Sequence, residues 1–330
     1  MTNLLPPMHT LINPRRFRSL PGPVILAAGF FDGVHRGHRL VLDGAMRQAR
    51  QIGGQAWALT FDQHPLSILA PARRPPLLTP LEVRLERLAA TGIDGCLVLP
   101  FTEALAALTP SAFIALLCGR SRHVVDIRCG ANWRFGARAA GDITELKRLG
   151  HQHGFHVTVV RAAKYQGTPV SSTRIREAIQ RGRLSDATAM LGRPYSIRET
   201  VVRGRGVGRT LDMATANVHP AAEVLPPIGV YAVRTWIGDR SMNAVASLGY
   251  RPTFTDARPA TPILETHVLD FDGDLYGATI DIAFIARLRA ERKYSSPAKL
   301  ISQVQRDITA ARRIFARCVF AHGNTRSVDQ

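Results

Sequence analysis

Gly29-Phe30-Phe31-Asp32-Gly33-Val34-His35-Arg36-Gly37-His38 follows an apolar, strand-like run from Val24 to Phe31 and opens an amphipathic stretch carrying Leu40, Val41, Ala45 and Ile52. A strand feeding a helix through a glycine-bearing turn is the unit from which parallel α/β sheets are built. At such a turn the first N–H groups of the helix have no partner inside it and favour an anion. His35 and His38, three positions apart, bring two imidazoles to the same end, Gly33 and Gly37 let the backbone come close, and Gly29 joins the candidate phosphate contacts. Taken alone, a His-x-Gly-His string reads as two ordinary surface or core histidines. In this position it reads as a phosphate site, with Phe31 and Asp32 in the same loop.

Outward from that loop the α/β rhythm continues to about Val160. Predicted strands are Val24–Phe31, Gln55–Phe61, Gly95–Phe101, His123–Arg128 and Phe155–Arg161, with helices between them. Thr79-Pro80-Leu81-Glu82 and Thr109-Pro110-Ser111 each offer a hydroxyl N-cap before a proline at the first helical position, and Glu82 is placed to close a capping box. Ligands of such sheets collect beyond the carboxyl ends of the strands, where Asp32–His38, Asp62-Gln63-His64-Pro65 and Gly130–Gly136 lie. Arg193-Pro194-Tyr195-Ser196 reads as a linker, dividing the chain into residues 1–192 and 193–330.

Beyond the linker the period falls to two. Val201–Arg203, Gly229–Thr235, Met242–Ser247, Leu264–Phe271 and Thr279–Phe284 are predicted strands of an antiparallel barrel or sandwich, and Ser296-Pro297 starts a terminal helix running towards Cys318. The first twenty residues and the last ten are expected to be loosely ordered.

The 330 residues are 45% hydrophobic, enough for two cores, and carry a net charge of +18. The excess is arginine spread along the chain, which fits a nucleic-acid surface, several phosphate subsites or a compositional bias. No helix carries a dense basic face interleaved with aromatics, so no specific nucleic-acid partner is expected. Cys96, Cys118, Cys129 and Cys318 form no Cys-x-x-Cys pair and read as reduced thiols, the expectation for a cytoplasmic protein. Pro6 and Pro7 interrupt any signal-peptide core, and no apolar run reaches the length of a membrane span, so no membrane partner is expected. Oligomeric state is left open, a homo-oligomer included.

A second anion-binding candidate is Ser171-Ser172-Thr173-Arg174-Ile175-Arg176, where hydroxyls and N–H groups at a helix start precede Arg176, on the same face as Thr173. The plainer reading is a helix cap followed by a solvated arginine. Paired with the histidine loop, it suits a triphosphate held between two cradles at opposite ends of one α/β domain. Arg203-Gly204-Arg205-Gly206-Val207-Gly208-Arg209 reads as a glycine-rich phosphate loop or as a hairpin turn.

These motifs, in this order, resemble the bacterial bifunctional riboflavin kinase/FAD synthetase family over roughly Val24 to Asp307. The resemblance implies a Rossmann-like nucleotidyltransferase domain that adenylylates FMN, followed by a small β-barrel that phosphorylates riboflavin, with ATP as co-substrate and Mg2+ as metal. It implies that His35 and His38 hold the ATP phosphates, that Asn132 contacts the nucleotide, and that Ser172, Thr173 and Arg176 complete the triphosphate site. Asp62 and His64 match a flavin-side Phe-Asp-x-His-Pro segment in which Gln63 replaces a common proline. In the barrel it makes Gly204, Gly208 and Arg209 ATP contacts, Thr215 and Asn217 metal ligands, Glu265 the general base and Arg292 a neighbour of the flavin. Departures are Asp212-Met213-Ala214 where relatives have Gly-Phe-Pro, and Ser247 where asparagine is usual. They leave open a paralogue that adenylylates FMN with a weakened or lost kinase. A flavin- or nucleic-acid-binding regulator on the same scaffold is the reading from another class.

Overall fold

The computed structural model describes residues 7–119, 123–202, 215–250, 262–292 and 294–323. They form two compact units that divide between Ser172 and Thr173.

The first unit is built on strands β1 (His9–Leu11), β2 (Val24–Ala28), β3 (Gln55–Phe61), β4 (Gly95–Leu99), β5 (Val124–Gly130) and β6 (His156–Val160). All pair in parallel, in the order β1-β4-β3-β2-β5-β6. Helices α1 (Pro14–Arg18), α2 (Arg36–Gln51), α3 (Leu66–Leu69), α4 (Leu81–Ala89), α5 (Glu103–Ala106), α6 (Pro110–Cys118) and α7 (Ile143–His153) connect them. A two-residue hairpin pair, β7 (Lys164–Tyr165) and β8 (Thr168–Pro169), precedes α8 (Ser172–Gln180).

Both faces of the sheet are covered, so its strands are continuous apolar runs. On β2, Val24, Leu26 and Ala28 face a core completed by Phe113, Leu117 and Leu146 of α6 and α7, whereas Ile25 and Ala27 face Leu42, Ala45 and Leu88 of α2 and α4. The strand order reverses between β2 and its neighbour β5, so the loops after these strands leave from a topological switch point, where open α/β sheets bind ligands.

Two expectations fail in this unit. The first twenty residues are not loose from His9 onward: β1 pairs with β4, Asn13 caps α1, and Phe17 is fully buried. Thr79 does not cap α4; Pro80 holds the cap position without a side-chain bond, because the Thr79 hydroxyl is engaged with the histidine loop. Thr109 does cap α6, accepting from the Ala112 amide.

The second unit contains most of α8, then α9 (Leu184–Leu191), strands β9 (Tyr195–Thr200), β10 (Thr215–Val218), β11 (Gly229–Ile237), β12 (Arg240–Tyr250), β13 (Pro262–Val268) and β14 (Thr279–Arg289), and α10 (Pro297–Gly323). The strands are antiparallel in the order β10-β13-β12-β11-β14-β9. A bridge between Val202 and Asn217 joins the two edges and closes the barrel. Tyr195, Tyr231 and Phe284 fill its interior. Outside, Ala311 and Phe315 of α10 cover Val230, Ala232 and Val245.

The segment read as a linker is partly wrong: Tyr195 and Ser196 begin β9, the strand that pairs with β14. Tyr195 is buried, which its aromatic body in an alternating run could have signalled. The predicted strand at Val201–Arg203 is reduced to the bridge at Val202, and Arg203 lies outside the described residues.

Candidate active sites

The histidine loop departs from ordinary backbone geometry. Phe31 and Val34 have φ of 59° and 40°, and Gly33 has φ of 79°. For a bulky and a β-branched side chain this is strained, and such strain persists only where the surroundings impose it. His35 caps α2: its Nδ1 accepts from the His38 amide at 3.2 Å. The two imidazoles stack with centroids 3.6 Å apart and planes 14° apart, and the edge of Phe31 closes on His38. Gly37 permits this, since a Cβ there would lie 3.0 Å from the His35 ring.

Burial, then the neighbouring His35 and Arg84, holds His38 well below the usual histidine range of 6.5. Its Nδ1 is buried and, among the described residues, has no hydrogen-bond partner. A neutral His38 with an unspent ring nitrogen can take up an anion and gain charge as it does so.

Asp32 is occupied in holding this loop. Its carboxylate accepts from the Leu78 amide at 2.9 Å and the Thr79 amide at 3.1 Å, while the Thr79 hydroxyl accepts from the Gly33 amide at 3.2 Å. Asp62 does the same at the next strand end, accepting from the amides of Gln63 and Phe101 at 2.7 and 2.8 Å. The substitution at Gln63 therefore adds two bonds no proline could supply, from its amide to Asp62 and from its side chain to the Phe101 carbonyl at 3.0 Å. His64 accepts from the Leu66 amide through Nδ1 and sets its ring edge-on to Phe30.

Sequence reasoning missed Arg84. It lies on the core stripe of α4, one turn before Leu88, and is 1% exposed. The available signal was a cation at a position whose helical neighbours are apolar.

After β5, Asn132 sits exposed in a turn closed by the Trp133 amide on the Gly130 carbonyl. Trp133 stacks on Phe135 behind it. Ser172, at the start of α8, donates to the Asp32 carbonyl at 3.0 Å. Ser172 thus adjoins the histidine loop, where the sequence reading set the two candidates at opposite ends of the domain; the return strand β6 and the β7–β8 hairpin bring the chain back. Thr173 is exposed, and Arg176, one helical turn beyond Ser172, is buried.

In the barrel, Glu265 of β13 lies directly opposite Asn217 of β10 on one side and Ser247 of β12 on the other. Paired residues share a face. Ala216, Thr266 and Ala246, each one position away, are buried in the interior, so Asn217, Glu265 and Ser247 form a row on the outer face. The row continues through Val230 to Arg289, whose guanidinium grips Asp307 of α10 at 2.8 to 3.1 Å. Thr215 pairs with His267 two positions along β10. Arg292 is exposed just beyond β14. Gly204, Gly208, Arg209 and the Asp212-Met213-Ala214 departure lie outside the described residues.

A parallel sheet with a histidine-capped helix at its switch point, joined to a closed antiparallel barrel, defines a two-part nucleotide-using transferase. The FAD synthetase family model matches residues 18–174 and the riboflavin kinase model residues 191–315. The chain is 36% identical to the bifunctional riboflavin kinase/FMN adenylyltransferase of Escherichia coli K12, over 88% of this chain and 92% of that one. It is 34% identical to the Bacillus subtilis protein of the same description, over 93% and 96%. A solved structure from Streptococcus pneumoniae described as a macrolide-efflux protein superposes with a TM-score of 0.80 at 27% identity, covering 92% of this chain and 98% of that one. Among the described residues no helix is long and apolar enough to cross a membrane. The chain belongs to the bifunctional riboflavin kinase/FMN adenylyltransferase family.

Proposed function

We propose that the chain phosphorylates riboflavin to FMN on its barrel and adenylylates FMN to FAD on its parallel-sheet unit, using ATP in both steps. The observation that carries the reading is the stacked His35–His38 pair at the start of α2, in which burial disfavours the charged form of His38.

In adenylyl transfer, an oxygen of the FMN phosphate attacks the α-phosphorus of ATP. The bond from that phosphorus to the bridging oxygen breaks, and pyrophosphate leaves. The nucleophile is already ionised, so the protein's part is to align the reactants and stabilise charge. His35 and His38 hold the phosphates, donating more strongly as negative charge gathers on the departing group. Ser172, Thr173 and Arg176 at the start of α8 complete the triphosphate cradle, with Asn132, Gly29, Phe31 and Gly37 along the nucleotide. The Asp62–His64 segment borders the flavin.

In the kinase half, Glu265 accepts the proton of the ribityl hydroxyl as that oxygen attacks the γ-phosphorus and ADP departs. The row beside it offers an amide oxygen from Asn217 next to a carboxylate, a donor set that suits a hard divalent cation. Asn217 and Thr215 would hold Mg2+, which when bound offsets charge on the ATP phosphates. Gly204, Gly208 and Arg209 are assigned to those phosphates and Arg292 to the flavin. Cys96, Cys118 and Cys129 are buried thiols outside any disulfide, in keeping with the cytoplasmic location we assign.

The test is chromatography of flavins after incubation with ATP, magnesium and either riboflavin or FMN. FAD from both substrates is expected. FAD from FMN alone would remove the kinase half of the reading, and none from either would remove both.

A further inference from the structure

We infer that Arg84 is a positioning residue for adenylyl transfer, a buried cation that fixes the two site loops of the first unit against each other. Its Nη1 donates to the Phe30 carbonyl at 3.1 Å. Its Nη2 donates to the Phe61 carbonyl at 2.6 Å and the Asp62 carbonyl at 3.2 Å. These oxygens belong to the segments leaving β2 and β3, which lead to the histidine loop and to Asp62–His64. One side chain therefore sets the spacing between the phosphate side and the flavin side. The guanidinium also lies 4.3 Å over the Phe30 ring, whose other contact is the edge of His64.

A structural clamp alone does not require a charge here. Arg84 has no ion pair among the described residues, and its Nε is buried without a partner. The nearest acids, Asp32 and Asp62, have their carboxylates turned to backbone amides of the same loops. The positive charge is thus met by backbone carbonyls and, among the described residues, by no direct ion pair; Asp32, Cys96 and Asp62 favour it only through space. The groups acting on His38 are His35 and Arg84, and both disfavour its protonation. An Arg84 that keeps His38 neutral before ATP arrives preserves an anion site whose response is largest when the phosphates are in place.

The inference rests on the reading of His35 and His38 as phosphate-holding groups. In Arg84→Met the stem is kept while charge and forked bonds are lost; in Arg84→Lys charge is kept and the fork lost. With the full-length protein, we expect Arg84→Met to lower kcat for FAD formation about 10- to 100-fold, the scale of a misplacement near 1 Å. Riboflavin phosphorylation by the same sample should stay within twofold. By NMR of histidine-labelled protein, with His38→Gln for assignment, the His38 midpoint should rise in Arg84→Met and stay low in Arg84→Lys, which should still lose rate. FAD formation within twofold of wild type in folded Arg84→Met, or an unmoved His38 midpoint, would overturn the inference. Should Arg84→Met not fold, Arg84→Lys decides alone: an unchanged kcat overturns it. Wild-type rate in His38→Gln would instead remove the underlying site reading.

Discussion

The hydroxyl of Ser172 donates to the main-chain oxygen of Asp32 across 3.0 Å, tying together segments 140 residues apart. Asp32 in turn is fixed through its carboxylate to Leu78 and Thr79. One residue therefore joins three separate stretches of chain around the start of α2. Ser172→Ala should cost about 1 kcal/mol of stability, the net worth of a hydrogen bond. FAD formation from FMN should fall while riboflavin phosphorylation is kept, as flavin chromatography of the two reactions would report.

His38→Ala should abolish FAD formation and spare FMN formation, and Glu265→Ala should do the reverse. Loss of both activities in either variant, with circular dichroism unchanged, would contradict two independent sites.

The first unit should weaken in acid through His38. Its protonation is disfavoured in the folded state, so between its depressed folded pKa and the unfolded value near 6.5 the unfolded chain binds the extra proton. The contribution is intact above pH 6.5 and is lost as pH falls through that window. Thermal unfolding from pH 7 to pH 5 should show a falling Tm, with a shallower slope in His38→Gln.

Gly37→Ala places a Cβ 3.0 Å from the His35 ring, which must shift by a few tenths of an ångström against its bond to the His38 amide. Loss of that cap is worth about 1 kcal/mol. We expect a larger proportional loss of FAD formation than of stability, measured as kcat beside the denaturation midpoint.

Asp307→Asn leaves Arg289 without its carboxylate beneath α10. The cost should fall near the lower end of the about 3–5 kcal/mol typical of a broken buried pair, since Arg289 retains some solvent. Urea titration would show the second unit melting earlier, with FAD formation from FMN less affected than riboflavin phosphorylation.

Much of this was legible because it is local. The apolar run into Gly29 and the amphipathic pattern after His38 predict β2 and α2, and the Thr109 cap on α6 follows from neighbours in sequence. What escaped depends on distant partners. Thr79 has every local mark of a helix cap, yet its hydroxyl serves Gly33, 46 residues away. Tyr195 looks like linker until β14 supplies its partner strand. Arg84 shows in sequence only as a cation among apolar helical neighbours, and the convergence of the β2 and β3 ends supplies the three carbonyls it serves. The Asn217–Glu265–Ser247 row is likewise set by barrel register, which no single strand encodes.

The closing bridge of the barrel has a consequence for heat inactivation. The Val202 amide donates to the carbonyl of Asn217, the residue that also flanks Glu265. Local openings begin where hydrogen bonds are fewest, and among the described residues this seam is held by one isolated bridge. Parting it would unseat Asn217 while the remaining strands stay paired. The two activities should therefore age differently in a warmed sample, with FMN production declining first and FAD production persisting until the parallel sheet itself gives way.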